Sequence, residues 1–462
     1  MIMCKLSDTV VEALLKNGHI YEVGGAVRDR FLNLPSGKDR DYLVCGISYQ
    51  ELSSILKDFG RVDLVGKSFG VIKFTQFCGE KMYTFDVALP RREYSTGVGH
   101  KDFEVSFDPN IRVEDDLIRR DFTINAMAIS LDTGDLVDPL GGMIDLKNRL
   151  IRMVSPVSFK EDPLRMLRAV QFAGRFRFEI EPATFAAMQE HAHLIESVSA
   201  ERISEELNKL LVQADEPSHG FRLMQKSGLL KYVLPELEAT VDVDQPGPFH
   251  AYDVFEHIIH TIDAAPRSLI IRMSALFHDI TKPQAKRLVE RGATFYGHET
   301  TGARLTAKIM KRLRYSTDQI RAVSVLVDRH MFNTSIGDKG LRRLIRKVGQ
   351  DLIFDLLELR RADVAGQGKG GTTDDVDQLE QEIKAELERR PPFGLQDLAV
   401  NGRDIMEIFQ IPQSPLVGKV LNFLLEKVLD DPNDNNRENL IEMARSYLAN
   451  YRYRNNATQQ ME

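Results

Sequence analysis

Two textures divide the chain. Up to about residue 150, short β-branched and aromatic runs alternate with helical patterns and with Gly, Pro and Asp turns. Ile20–Val23, Asp41–Cys45, Val71–Phe77 and Met82–Ala88 predict strands in a mixed α/β region. From about Asp162 the period changes. Apolar residues recur at spacings of three and four, as in Leu164, Leu167, Ala169, Phe172 and Phe176, which predicts helix almost to the end. Asp244–Gly247 (DQPG) and Pro391–Gly394 (PPFG) read as breaks, and Gly366–Asp375 (GQGKGGTTDD) as a flexible linker. The polar tail after Tyr453 is expected to fray. There is no internal repeat or heptad array.

Length and composition add limits. At roughly 150 residues per domain, 462 residues imply about three domains. The 43% hydrophobic and 28% charged content is that of a globular protein. No apolar stretch approaches the roughly 18–20 residues that span a bilayer, and the first residues lack a signal-peptide pattern, so a cytoplasmic protein is expected. The three cysteines, Cys4, Cys45 and Cys78, have no paired metal spacing and fit a reducing compartment. A net charge of −7 excludes a globally basic nucleic-acid coat but leaves room for local basic stripes.

Residues 20–44, IYEVGGAVRDRFLNLPSGKDRDYLV, carry the first candidate chemistry. A strand ends at Val23, Gly24 and Gly25 turn the chain, and a helix carrying Arg28 follows. Such a turn lets backbone N–H groups approach a phosphate. Asp39 and Asp41 then open a strand, whose period of two places both carboxylates on one face. Side by side they repel unless a cation neutralises them, and hard Mg²⁺, shared with substrate phosphates, is the expected occupant. Asp86, in TFDVAL, is a candidate third carboxylate. A DxD pair alone is usually a solvated turn; the preceding GGxVRD makes the catalytic reading stronger.

Two later motifs fit the same chemistry. In EDDLIRRDFTINAMA (114–128), Arg119 and Arg120 can clamp a triphosphate with forked guanidinium groups. Asp121 can accept from a ribose hydroxyl, and Asn125 can bond sugar or phosphate. In EDPLRMLR (161–168), Asp162 and Arg165 are three apart on one helical face. C and A both present an exocyclic amino donor beside a ring-nitrogen acceptor. An aspartate acceptor beside an arginine donor matches that edge and mismatches U and G.

Together GGAVRD, DRD, RRDFTINAMA and EDPLR, in this order from about Val23 to Leu211, resemble the bacterial tRNA nucleotidyltransferase and poly(A) polymerase family, specifically its class II CCA-adding enzymes. The resemblance implies a polymerase-beta-like α/β head followed by all-α domains, an α+β fold. It implies Asp39 and Asp41, with Asp86, as catalytic carboxylates. Gly24, Gly25, Arg28, Arg119, Arg120, Asp121, Asn125 and Arg168 become nucleotide-binding residues, and Asp162 with Arg165 the amino-acid template that selects CTP and ATP. ERISEELNKL (201–210) resembles the family's helical neck motif. The implied activity is template-free addition of C and A to the tRNA 3′ end, with release of pyrophosphate, and the implied partner is the tRNA acceptor arm. PRREYSTGVGHKDFEV departs from the loop of many three-nucleotide adders, so a CC-adding or A-adding specialist stays open. A poly(A) polymerase fits less well, since a more basic chain would be expected. From another class, an RNA-binding or nucleotide-sensing protein with an inactive head is the alternative.

A second constellation follows: His257 in VFEHIIHTID, His278–Asp279 in ALFHDITKP, His298 in FYGHETTG, His330 in LVDRHM and Asp363 in LRRADVAG. Imidazoles and carboxylates on helices can hold one or two transition-type ions, which generate hydroxide for attack on a phosphoester. The order resembles the HD phosphohydrolase superfamily over about 248–366. Ni²⁺, Mn²⁺, Co²⁺ or Fe is implied there. His260 is a nearby decoy. Thr281 stands where relatives often have glycine. Basic clusters at Lys308, Lys311, Arg312 and Arg314, at Lys339, Arg342, Arg343, Arg346 and Lys347, and in Tyr451–Arg454 (YRYR) are candidates for RNA contact. The expected organisation is a head at 1–152, neck and body at 153–245, an HD domain at 246–370 and a helical tail at 371–462, with no membrane and no obligate protein partner.

Overall fold

The computed structural model describes residues 5–34, 40–66, 70–78, 81–95, 103–246, 250–289 and 292–459. The chain forms two compact units, Met1–Ala239 with Arg312–Arg314, and Thr240–Lys311 with Tyr315–Glu462.

In the first unit, strands β1 His19–Val23, β2 Asp41–Cys45, β3 Arg61–Gly66, β4 Val71–Cys78 and β5 Lys81–Ala88 precede a hairpin, β6 Arg91–Ser95 and β7 Phe103–Phe107. Strands β8 Ala128–Ser130 and β9 Leu136–Val137 complete a seven-stranded sheet of order β3-β4-β5-β2-β1-β8-β9. Central β2 is buried on both faces, which is why DYLVC reads as a continuous apolar run. Tyr42 and Val44 pack with Leu14, Leu52, Leu56, Phe74 and Phe85. Leu43 and Cys45 face the other way, onto Val113, Leu117 and Ala126. Fully burying each such side chain contributes roughly 1.5–3 kcal/mol. Asp41 shares the parity of Leu43 and Cys45, so it opens toward that second face.

Past the sheet, helices Leu164–Phe176, Ala200–Gln213 and Pro217–Lys226 pack together. Glycine permits their closeness: a Cβ on Gly174 or on Gly220 would sit 2.6 Å from Leu210 Cδ1.

The second unit is helical, with one small hairpin (Arg287–Val289 and Gly292–Thr294). Helices Val254–Ala264, Leu269–Phe277, His298–Arg312, Thr317–Arg329 and Ile353–Gly366 form its first part. Three expectations change here. Gly366 is the buried last residue of its helix, and the next helix starts at Asp374, so the linker shrinks to 367–373. The final helix, Arg437–Gln459, runs past Tyr453, where fraying is expected from composition. Arg342 is no surface cation: it is buried, with Nη1 2.9 Å from Glu386 Oε1 and Nε 2.7 Å from the Leu429 carbonyl. Its neighbours Arg343 and Arg346 are ion-paired to Glu426. Among the described residues no helix is long and apolar enough to cross a membrane.

Candidate active sites

A cavity of about 970 Å³ opens over the start of β2, the carboxyl end of β5 and the residues that follow β1. Strand pairing builds its floor. Asp41 is the register partner of Asp86 on parallel β5, and Asp86 is the partner of Lys73 on β4. One row across the sheet therefore reads cation, carboxylate, carboxylate. Lys73 Nζ lies 3.0 Å from Asp86 Oδ1. Asp39 lies outside the described residues; β2 begins at Asp41. Two adjacent carboxylates beside a phosphate-sized space are the donor chemistry that suits Mg²⁺.

Gly24 turns the chain out of β1 at φ 72°, the left-handed region that glycine enters without cost. The turn also lies close to a guanidinium, since an added Cβ would meet Arg120 Nη1 at 2.7 Å. Arg119 and Arg120 are both aimed by Asp116, which is fully buried: Arg119 Nε donates to its Oδ1 at 3.0 Å and Arg120 Nη2 to its Oδ2 at 3.3 Å. Asp116 was not singled out from the sequence, although its position three and four residues before the arginines was a usable signal.

Arg28 lines the cavity but is not a free phosphate clamp. It donates to Asp29 Oδ1 at 2.8 Å and to Asn125 Oδ1 at 2.5 Å, under the rings of Phe172 and Phe176. Burial pushes its pKa down from the usual arginine value. Asp121 is equally committed. Its Oδ1 accepts from the Phe122 amide and Asn125 Nδ2, and its Oδ2 from Arg168 Nε and Nη2. Those bonds fill its acceptor positions, so a ribose hydroxyl would have to displace one. Burial alone would raise the Asp121 pKa, but Arg168 and Asn125 hold it below the ordinary carboxylate value.

Asp162 and Arg165 both reach the cavity, but they do not pair with each other. Asp162 takes Arg202, at 2.8 Å to Nη2 and 3.2 Å to Nη1. Arg165 donates to Ser158 Oγ and to the Arg119 carbonyl, each at 2.9 Å. Arg202 also lines the cavity. It lies in ERISEELNKL, but its link to Asp162 had no local signal.

The second unit holds a second cavity, of about 630 Å³, with Asp279, His298, His330 and Asp363 in its wall. All six residues predicted there converge. His257 Nε2 lies 3.2 Å from both Asp279 Oδ2 and Asp363 Oδ1, and 3.1 Å from His278 Nε2. His298 Nε2 lies 3.2 Å from Asp279 Oδ1 and from His330 Nε2. Two buried trios result, His257–His278–Asp279 and Asp279–His298–His330, sharing one carboxylate. His260 stacks on Tyr252, a partly exposed side chain outside both trios.

The tautomers test whether cations fit. Nδ1 of His278, His298 and His330 each faces a backbone carbonyl, at 2.8, 2.7 and 2.7 Å. Each Nδ1 is therefore the donor, which leaves the Nε2 of each ring turned into the site. Lone pairs of His298 and His330 facing each other at 3.2 Å repel unless a proton or cation lies between them. Burial, reinforced by His278, pushes His330 down to about 3, so it is a neutral donor. Burial alone would lower His257, but hydrogen bonds to Asp279 and Asp363 raise it to about 9. This donor set suits the ions that imidazole prefers. Lys282, 2.6 Å from Asp279 Oδ2, and His250 were not singled out; Lys282 sits three residues after Asp279, His250 had no signal.

Residues 20–152 match the poly A polymerase head domain, 177–240 the "Probable RNA and SrmB-binding site of polymerase A", and 300–444 tRNA nucleotidyltransferase domain 2. The multifunctional CCA protein of Azoarcus sp. (strain BH72) is 38% identical over 320 residues, 67% of this chain and 72% of that protein. Its counterpart from Methylobacillus flagellatus is 38% identical over 322 residues, 67% of this chain and 73% of that protein. Among solved structures, the Bacillus stearothermophilus CCA-adding enzyme in complex with CTP is similar at a TM-score of 0.69 and 22% identity, covering 96% of this chain and 98% of that one. The Thermotoga maritima CCA-adding enzyme complexed with tRNA is similar at a TM-score of 0.54 and 22% identity, covering 95% and 94%. At those identities the structures speak to the fold.

Proposed function

The chain belongs to the bacterial CCA-adding tRNA nucleotidyltransferase and poly(A) polymerase family, and on that premise we propose that its first unit adds C and A, from CTP and ATP, to the tRNA 3′ end without a nucleic-acid template. The observation that carries this is one cavity lined by the Asp41 and Asp86 carboxylates, by Arg119 and Arg120, and by Asp162 and Arg165.

The tRNA 3′-hydroxyl attacks the α-phosphate, and pyrophosphate leaves. Asp39, Asp41 and Asp86 would hold Mg²⁺, which when bound would favour deprotonation of the attacking hydroxyl and neutralise charge on the leaving group. Arg119 and Arg120, pre-aimed by Asp116, grip the triphosphate as fixed forks. Arg28, Asp121 and Asn125 form the buried frame behind them, with Arg168. Asp162 accepts from the exocyclic amino group of C or A, Arg165 donates to the ring nitrogen, and Arg202 holds the carboxylate in place. A base with the opposite edge leaves these polar groups unpaired.

We propose further that the second unit carries an accessory metal-dependent phosphoester hydrolase activity, in which His257, His278, Asp279, His298, His330 and Asp363 would hold Ni²⁺, Mn²⁺, Co²⁺ or Fe. The two trios around Asp279 support this, as does cationic Lys282 in the cavity wall. The boundaries of head (1–152), neck and body (153–245), HD domain (246–370) and tail (371–462) stand as part of this proposal.

One experiment separates CCA addition from its alternatives. Purified protein with Mg²⁺ is given tRNAs ending before CCA or after CC, with CTP and ATP singly and together, and the products are sized. Full CCA is expected. Growth stopping at CC, or only A joining a CC end, identifies a specialist. Long A tails identify a poly(A) polymerase, and no growth an inactive head.

A further inference from the structure

Thr281 has no part in the chemistry above, yet its side chain is placed with care. It is 2% exposed, and its Oγ1 donates to the His298 carbonyl at 2.8 Å. The same oxygen lies 3.1 Å from Thr301 Oγ1 on the helix that His298 opens. Gly302 on that helix faces the same hydroxyl: an added Cβ there would lie 3.4 Å from it, in ordinary contact.

These contacts close a ring. The backbone runs from Asp279 to Thr281, the hydroxyl crosses to the His298 carbonyl, and His298 Nε2 returns to within 3.2 Å of Asp279 Oδ1. Nδ1 of His298 is fixed separately on the Phe295 carbonyl at 2.7 Å, so ring orientation and helix position are set by different bonds. The other trio is closed without Thr281: His278 is held through the Ala275 carbonyl and His257 through Asp279 and Asp363.

We propose that Thr281 is a positioning residue for one of two cation sites, acting through His298 on the Asp279–His298–His330 trio and not on the His257–His278–Asp279 trio. This rests on the metal reading of the second unit. Outer partners that orient a ligand typically govern affinity by about 10–100-fold.

The test titrates the full-length chain with Co²⁺, reading stoichiometry by calorimetry and ligand-field absorption, with circular dichroism matched throughout. Thr281→Val keeps the volume and removes the donor; Thr281→Ser keeps the donor. The wild type should bind two ions. Thr281→Val should keep one at wild-type affinity and weaken the other by about 10–100-fold. Thr281→Ser should restore both. Two ions bound normally by Thr281→Val, or equal loss at both sites in a natively folded variant, overturns the positioning role alone. A wild type that binds one ion overturns the two-site arrangement, and one that binds none overturns the metal reading and this inference together.

Discussion

Asp41 shows what a single residue decides. It is the first residue of β2, partnered across parallel β5 by Asp86. Asp41→Ala, and likewise Asp39→Ala, should reduce nucleotide addition by roughly 10²-fold or more while the fold survives. Wild-type addition by either variant would end the carboxylate assignment. Arg165→Ala should lower discrimination against UTP and GTP by up to about 3 kcal/mol. Relative incorporation of all four nucleotides measures it, and equal slowing of all four would make Arg165 structural. Asp121 makes a prediction about pH. Its folded pKa is depressed, so its stabilisation is present above the unfolded aspartate value and is lost as pH falls through the folded one. Asp121→Asn should therefore cost about 2 kcal/mol at neutral pH. The gap to wild type should narrow as pH drops below about 4. Denaturant unfolding at several pH values checks this, and a gap that widens on acidification contradicts it.

Between elements, close approach of backbones controls site geometry. Helices Val254–Ala264 and Ile353–Gly366 meet where a Cβ on Gly366 would lie 2.3 Å from Thr261 Oγ1 and 2.8 Å from its amide nitrogen. Thr261 in turn donates to the His257 carbonyl at 2.9 Å, and Gly366 sits one turn beyond Asp363. Gly366→Ala should force these helices apart, at about 1–3 kcal/mol. It should also weaken divalent-ion binding, since His257 and Asp363 ride on the separated helices. Thermal unfolding together with metal affinity tests the pair of effects; a variant of unchanged stability would show that the helices can shift at no cost.

Across the whole molecule, the two proposed chemistries lie in separate compact units, each with its own cavity. His278→Ala with Asp279→Ala should abolish phosphoester hydrolysis supported by Ni²⁺, Mn²⁺ or Co²⁺ and spare Mg²⁺-dependent nucleotide addition. Bound metal can contribute folding energy, so circular dichroism must match first. A well-folded double variant that loses addition as severely as Asp41→Ala would join the two sites into one machine.

What the sequence alone determined was whatever is written at short range. GGAVRD, DRD, RRDFTINAMA and EDPLR hold their chemistry within a few residues, so strand and helix periods suffice to put a carboxylate at the start of β2 and two arginines on one short segment. The six His and Asp positions of the second unit were legible by type and order. Packing decided the rest. Asp162 finds Arg202 across 40 residues, not its neighbour Arg165. Asp86 faces Lys73 only because β4 and β5 are in that register. Arg28, expected among the nucleotide-binding residues, is drawn under two phenylalanine rings, and Arg342, expected on an RNA-facing stripe, is buried against Glu386. The sharing of Asp279 between two trios brings together His257, His278, His298 and His330, which lie far apart in sequence. A local pattern shows which charges a segment carries; which of them are neutralised, buried or aimed at a cavity is set by partners distant in sequence, through the cost of leaving a buried charge unpaired.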